Sequence, residues 1–465
     1  MAVPEPERTP QKPAPAERIA AGSAARKQTP RQALAEWTIP EGRPDPVALL
    51  LDQAAARLQN LVPIRHGRMS GSAFAFYRGS AVVMAADLGS QPATGLTVQL
   101  CGDAHIANFG LFASPERTVL FDLNDFDETH PGPFEWDVKR LATSAVLTAR
   151  SNGWRTSIQR SLALVCAQAY REAMRHFAEM STLDVWYSRL DVSEIGRLAA
   201  SLPSEAALAR VERSIAGARR RTNLQAMGKL TTIVDGQRQF VDDPPLLVRV
   251  GAEQAELLGN EAMQAYRATL VSDRAALLDQ FHVVDVARKV VGVGSVGTRC
   301  YVLLMQGVDG TDPLVLQYKE ATASVLEPYT APSAFDNHGA RVVAGQRLMQ
   351  AASDIFIGWT AATDAHGVVH DTYVRQLRDM KFSPDLSALD VPGVEMILRA
   401  AGWTLARAHA RSGDRLAIAS YLGRSTRFED AITAWAMAYA DQTEGDHADM
   451  VQAIRMARLP AITGV

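Results

Sequence analysis

Two short runs of strand-forming residues, 96–100 and 118–121, each stop at an acidic turn. Gly102-Asp103-Ala104-His105-Ile106-Ala107-Asn108 follows the first, and Asn124-Asp125-Phe126-Asp127 follows the second. β-Branched and aromatic side chains favour extended backbone, whereas Gly, Asn and Asp end it. A chain with this pattern has to bring two strand ends together and let loops present the carboxylates. The remaining elements must support that pair of turns.

Composition divides the rest. Residues 1–45 are dense in Pro, Ala, Arg, Lys and Glu and poor in large apolar side chains. They cannot offset their ordering entropy and are expected to form a disordered tail. Helical spacing begins over 45–61 (Val47, Leu50, Leu51, Ala54, Leu58, Leu61), and 74–88 reads as a second helix or helix-loop element, with Phe74, Phe76 and Tyr77 as core. Residues 137–280 are mostly helical in pattern, with a long amphipathic stretch at 158–180.

At Asp285 the character changes. Val290-Val291-Gly292-Val293-Gly294-Ser295-Val296-Gly297 leads into a β-prone run from Cys300 to Met305, a turn at Gly310 and a second run from Leu314 to Lys319. This predicts three antiparallel strands with a glycine loop in the first connection. A helix at 339–349, a strand at 372–377 and helices at 398–410 and 428–440 complete the reading, with no internal repeat. The expected class is α+β. A helical large lobe over 46–280 carries both acidic turns, a small antiparallel β lobe spans 281–385, and C-terminal helices over 386–465 pack on the large lobe.

Length and charge narrow the function. A chain of 465 residues can bury more than one core, so a cleft between lobes is expected. The net charge of −3 provides no basic field for nucleic acid. Cys101, Cys166 and Cys300 are odd in number and widely spaced, which argues against a disulfide framework or a zinc ribbon and fits a reducing compartment. No apolar run approaches the roughly 18 residues a membrane span needs, and the N-terminus opens on prolines and charges, so a cytoplasmic protein without a membrane partner is expected.

The acidic turns carry the chemistry. Asp103 stands five residues before Asn108, an interval at which one loop can aim a carboxylate at a substrate hydroxyl and an amide oxygen at Mg²⁺. Asp125 can complete the oxygen shell of such an ion. Asp103 is thus the candidate general base with His105 supporting its loop, and Asn108 and Asp125 are candidate metal ligands. The same residue types also shape ordinary turns. The glycine pattern of Gly292, Gly294 and Gly297 is followed by a strand rather than a helix, which favours a phosphate-covering hairpin over a dinucleotide fold. Lys319 on the next strand is then placed to bridge nucleotide phosphates. Glu320 and Glu327 are the nearest candidates for its carboxylate partner, because the 339–349 helix contains no Glu.

The blocks FAFYRG, CGDAHIANFG, FDLNDFDET, PGPFEWDVKRLA, GQRLMQAASDIF and YVRQLRDMK resemble the bacterial family known as domain of unknown function 2252 (DUF2252) over nearly the whole chain after the tail. That family is in turn similar to protein-kinase-like phosphotransferases, especially the aminoglycoside and choline kinase branch, with its pattern GDxHxxN, a strand, then DFxD. The resemblance implies a two-lobed kinase-like fold, ATP and Mg²⁺ as cofactors, Asp103 as base, Asn108 and Asp125 on metal with Asp127 assisting, and Asp137 tying a helix to the catalytic loop. The glycine loop and Lys319 follow the acidic turns here, whereas the small β lobe of kinases comes first. A circular permutation reconciles the two orders, with residues 403–411 as the helix that spatially precedes Gly102.

The expected function is therefore an ATP- and Mg²⁺-dependent phosphotransferase acting on a hydroxyl-bearing small molecule or protein, with phosphoryl and nucleotidyl transfer both open. The alternatives are a pseudokinase-type nucleotide-binding or scaffold protein and, third, a metal-dependent phosphoesterase. The last needs further metal-binding blocks, for which Ser412-Gly413-Asp414-Arg415 and Asp336-Asn337-His338-Gly339 are poor substitutes. Arg219-Arg220-Arg221 reads as a solvated helix face before it reads as an anion clamp. Arg375, Arg378 and Lys381 are candidates for lining the cleft.

Overall fold

The computed structural model describes residues 13–200, 216–217, 228, 230–364, 366–377 and 384–465. Arg219, Arg220, Arg221, Arg378 and Lys381 lie outside the described residues.

Helix Phe134–Ser151 organises the molecule. Its side chains from Phe134 to Ala149 are all buried, including Glu135, Asp137, Lys139 and Arg140. A helix buried on every side is a core element, not an amphipathic cover. Helices Thr156–Glu179, Val391–Ser412 and Arg427–Arg455 pack around it, joining Leu141, Val146, Tyr170, Leu398, Leu405 and Trp435 in one continuous core. The C-terminal helices thus close the same core that the central helices open.

The N-terminal segment differs from the expected tail. Residues Pro15–Gln28 form a helix that lies against Arg415–Leu422. Polar anchors supply what apolar content lacks. Arg18 pairs with Asp414 at 2.8 Å, Arg26 donates to the Ser420 carbonyl at 2.8 Å, and Leu34 is fully buried. The contacts that order it come from residues about 400 positions away, which local composition cannot report.

The strands, in chain order, are β1 Thr97–Leu100, β2 Phe109–Ala113, β3 Val119–Leu123, β4 His130–Pro133, β5 Leu190–Asp191, β6 Thr231–Val234, β7 Gln237–Phe240, β8 Leu247–Arg249, β9 His282–Lys289, β10 Cys300–Gln306, β11 Pro313–Glu320, β12 Gly358–Thr363 and β13 Val369–Gln376. Among the described residues, six form one antiparallel sheet in the order β12-β13-β11-β10-β9-β8. The three expected strands are β9, β10 and β11, and the expected strand at 372–377 is the end of β13. β12 was not expected, since Gly358, Ala361 and Ala362 interrupt the strand formers Trp359, Thr360 and Thr363.

The mostly helical pattern expected for 137–280 fails at β6, β7 and β8, where strand residues follow one another too briefly to show a period. The boundary of the β region also moves. Helices Ala252–Gly259, Glu261–Arg267 and Ser272–Leu278 pack on the sheet through Leu258, Ala262, Tyr266 and Leu278 against Leu303, Leu316 and Val374. Sheet and cover therefore begin near β8, not at 281.

β2 and β3 form a hairpin with Phe109 opposite Leu123. That pairing brings the ends of the two acidic turns together, and Asn124 N–H donates to the Asn108 carbonyl at 2.9 Å. Helix His338–Met349 joins this hairpin region to the sheet. Val342, Val343 and Met349 enter the main core, while Arg341 donates to the carbonyls of Thr129, Asp127 and Thr322. Among the described residues no helix is long and apolar enough to cross a membrane.

β3 is locked to helix Val391–Ser412 by a buried ion pair. Arg407 Nη2 lies 2.8 Å from Asp122 Oδ1, each side chain being 1% exposed. Removing one partner leaves an uncompensated buried charge. Arg407→Leu is expected to destabilise the fold by about 3–5 kcal/mol, measured as a lower denaturation midpoint, and a midpoint within error of wild type would contradict this.

Candidate functional site

The Asp103 turn begins with a conformation that selects glycine. Gly102 has φ +81°, and a Cβ there would lie 2.2 Å from the Glu128 carbonyl oxygen. The Cys101 and Gly102 N–H groups donate to the Asp137 carboxylate at 2.7 and 3.0 Å, so the first turn of helix Phe134–Ser151 holds the loop from below. His409 Nε2 stands 3.3 Å from the same carboxylate, and the other ring nitrogen of His409 meets Tyr170. The Asn108 side-chain amide donates to the Asp103 carbonyl at 2.7 Å and closes the loop.

The Asp103 carboxylate is oriented by Arg140, whose Nε lies 2.5 Å away. Arg140 stands three positions after Asp137, so both project from one face of a helix. Arg140 is sandwiched against the Tyr77 ring and donates to the Tyr77 carbonyl at 2.8 Å. Burial raises the Asp103 carboxyl against the opposing pull of Arg140, and the charges of Asp125 and Glu128 add to the rise, bringing it to about 7. His105 is buried beside it, with Nε2 3.7 Å from Asp103, beyond hydrogen-bond reach. Burial, together with Arg78 and Arg140, lowers the imidazole well below its usual range and keeps it neutral.

The second turn meets the sheet. On β11, Lys319 lies opposite Tyr373 of β13, and Gln317 lies opposite Arg375, so these side chains share one face. Lys319 Nζ contacts Asp127 Oδ2 and lies 3.9 Å from Asp125 Oδ2. Tyr373 donates to Asp127 Oδ1 at 2.8 Å, and Ser295 of the glycine loop lies 3.3 Å from Asp127 Oδ2. Arg375 donates to Gln317 at 3.0 Å and reaches the Asn124 carbonyl at 3.4 Å. Burial alone would depress the ammonium of Lys319, but Asp125 and Asp127 outweigh it and hold the group protonated. Burial likewise opposes ionisation of Asp127, and Lys319, Tyr373 and Arg375 reverse that effect.

The carboxylate partner of Lys319 is therefore Asp127, not Glu320 or Glu327. Successive side chains on a strand point to opposite faces, which turns Glu320 away from Lys319. Glu320 instead pairs with Arg299 and His370 at 3.2 Å each. Glu327 accepts from Ser333 N–H at 2.9 Å.

The glycine loop bends across the helices that precede β1. Gly292 and Gly297 have φ +65° and +90°. Arg57 donates to the carbonyls of Gly294 and Val296 at 2.8 and 2.7 Å, and Arg68 to that of Gly292 at 2.5 Å. These contacts and Leu58 N–H anchor the glycine loop by its carbonyls, while Ser295 faces Asp127.

Asp127, Lys319 and Ser295 of the glycine loop thus meet at one junction with Asp125 beside them, and the Asp103–Asn108 turn adjoins it through the Asn124 N–H bond to the Asn108 carbonyl. Their capacity for a metal ion differs. Both Asp127 oxygens already accept from proton donors, so Asp127 serves the lysine first. Asp125 keeps a partly exposed carboxylate, with Asp127 N–H at 3.3 Å. Asn108 has committed its amide N–H to Asp103 and retains the chemistry of an oxygen donor. Among the described residues no group of three or more His, Cys, Asp or Glu side chains is arranged to hold a metal ion. A hard cation here would rest on Asp125 and Asn108 and on oxygens of a ligand, which suits Mg²⁺ better than a cage-bound metal. Sequence reasoning missed Arg140, Ser295 and Tyr373. The spacing of Arg140 from Asp137 was a readable signal, whereas Tyr373 required the strand register.

The raised Asp103 carboxyl has a thermodynamic consequence. Its folded-state value of about 7 exceeds the ordinary 3.8, so its contribution to stability is full below 3.8 and is lost as pH rises through about 7. Relative to Asp103→Asn, wild type should have its largest advantage in melting temperature near pH 4 and lose it towards pH 7. A difference that is flat or grows over that window would refute the assignment.

Comparison with curated proteins and with solved structures returned no match. The sequence model of one family, described as an uncharacterized protein conserved in bacteria (DUF2252), matches residues 57–453, and the chain belongs to that family.

Proposed function

We propose that this chain is an ATP- and Mg²⁺-dependent phosphotransferase with a kinase-like, circularly permuted arrangement, acting on a hydroxyl-bearing acceptor. The observation that carries the reading is the meeting of Lys319 and Ser295, from the sheet and its glycine loop, with Asp125 and Asp127 beside Asp103. Phosphoryl transfer asks chiefly for positioning and charge neutralisation, and these residue types provide both. The permutation is supported by the end of helix Val391–Ser412 lying beside β1, where Ser412 Oγ accepts from Gln99 N–H at 3.2 Å.

In this reading Asp103 accepts the proton of the acceptor hydroxyl, with Arg140 fixing the direction of its carboxylate. Asn108 and Asp125 offer oxygens to the divalent ion, whose charge would offset that of the phosphates. Lys319 and the 292–297 loop hold the phosphate chain, and Tyr373 keeps Asp127 in place for Lys319. A base with its carboxyl near 7 suits catalysis close to neutral pH.

A second reading, a nucleotide-binding module without transfer activity, is favoured by one feature. Asp103 and Lys319 are already ion-paired within the chain, to Arg140 and Asp127. The phosphoesterase reading lacks such support: Asp414 caps the helix Arg415–Leu422, and Asn337 caps His338–Met349.

Thermal-shift measurement with ATP, GTP and Mg²⁺, followed by an ADP-release assay against hydroxyl acceptors, separates these outcomes. Stabilisation with turnover supports transfer, stabilisation without turnover selects the binding module, and no stabilisation ends both. Asp103→Ala is expected to lower turnover by roughly 10²–10⁴-fold, the usual contribution of a general base, and unchanged turnover removes that role. Asp125→Ala is expected to abolish the Mg²⁺-dependent part of nucleotide affinity in calorimetry; an unaltered affinity counts against Asp125 as ligand.

A further inference from the structure

Arg78 lies within electrostatic reach of both acidic turns, yet among the described residues it is ion-paired to neither. It belongs to helix Ala73–Gly79 and is half-buried. Among the described residues its guanidinium makes no hydrogen bond or ion pair, and its Nε is buried without a partner. The surroundings are built to hold it still. The carbonyl before it, Tyr77, accepts from Arg140, and the carbonyl after it, Gly79, accepts from Arg65 at 2.7 Å. Its own carbonyl oxygen lies 3.2 Å from where a Cβ on Gly294 would stand, so the glycine loop rests directly on it.

Charge sharpens the picture. Arg78 is within electrostatic reach of Asp103 and Asp125, though it pairs with neither. Arg57 and Arg65, next to it under the glycine loop, also carry buried guanidinium nitrogens without partners. Arg57 is committed to loop carbonyls and Arg65 is fully buried, which leaves Arg78 as the member of this group with access to a ligand. An unpaired, partly desolvated cation destabilises the unliganded fold unless an anion completes it. A guanidinium with free donors matches the paired oxygens of a phosphate or a carboxylate, and beside a glycine loop the phosphate is the ligand the site reading supplies.

We propose that Arg78 is an anion-binding residue of the cleft, receiving the terminal phosphate of a polyphosphate where the glycine loop meets Asp103 and Asp125. The proposal rests on the phosphotransferase reading for the position of that phosphate, but the anion site itself does not need a nucleotide. A donor nucleotide and an inorganic polyphosphate share the chemistry and differ in what else the cleft must hold.

The test compares the full chain with Arg78→Ala and Arg78→Lys, using calorimetry and melting temperature with ATP, ADP, AMP and inorganic tripolyphosphate, each with MgCl₂. Arg78→Ala should weaken ATP and tripolyphosphate by roughly tenfold to a hundredfold, the usual value of a charge-assisted bond, while AMP is unaffected. Arg78→Lys should recover part of the loss. Because no described residue pairs with Arg78, Arg78→Ala without ligand should melt at or above the wild-type temperature, whereas a merely structural arginine would lower it. Equal binding by wild type and Arg78→Ala overturns the proposal, as does a matching loss for AMP, a lower ligand-free melting temperature in both variants, or no binding of any probe by wild type. Arg78-dependent binding of tripolyphosphate without ATP binding keeps the anion site and removes the ATP-dependent reading. ATP binding indifferent to Arg78 does the reverse.

Discussion

The ion pair between Lys319 and Asp127 is the contact on which the site depends, because it joins a sheet lysine to the turn at the end of the β2–β3 hairpin. Lys319 is withdrawn from water while Asp127 is only partly so, and the buried ammonium depends on the carboxylate to stay charged. Tyr373 and Ser295 add donors to the carboxylate, and Asp125 adds a second negative charge near the ammonium. The pair survives burial because several partners share the cost of desolvation.

A similar logic runs through the arginines of the core. Arg407 meets Asp122, Arg140 meets Asp103, Arg341 meets three carbonyls, and Arg57 meets two. Each planar fork satisfies several acceptors at once, which a lysine could not do at these places. Backbone segments that lack regular secondary structure are thereby fixed: the 124–129 turn by Arg341 and the glycine loop by Arg57. Arg78 departs from the pattern, and a residue that breaks a rule its neighbours keep is a natural place to look for a ligand.

Much of the local structure was legible. The helices at 156–179 and 338–349, the strands β9 to β11, and the ends of β1 and β3 follow from periodicity and turn residues. The β8 strand was not, and the three short helices over 252–278, expected as helical, were placed with the large lobe, because allegiance to the sheet is a packing choice and leaves no period in the sequence. The N-terminal helix was misread as a tail since its partners, Asp414 and Ser420, are remote in the chain. Within the site, Asp103, Asn108 and Asp125 were readable from spacing, whereas Tyr373 came into view only through its register opposite Lys319.

By itself, then, the amino-acid order determined which residues stand at strand ends, where the glycine-rich connection falls, and that the chain belongs to a bacterial family matched over residues 57–453. These are local properties, written in backbone preference and residue spacing. Tertiary structure alone decided that Lys319 takes Asp127 as its partner in place of a glutamate, that Arg140 directs Asp103, and that Arg78 has no direct ion pair among the described residues. Ion-pair choice in a desolvated interior depends on which side chains share a face and arrive within a few ångströms, and that is settled by strand register and helix packing between segments far apart in sequence.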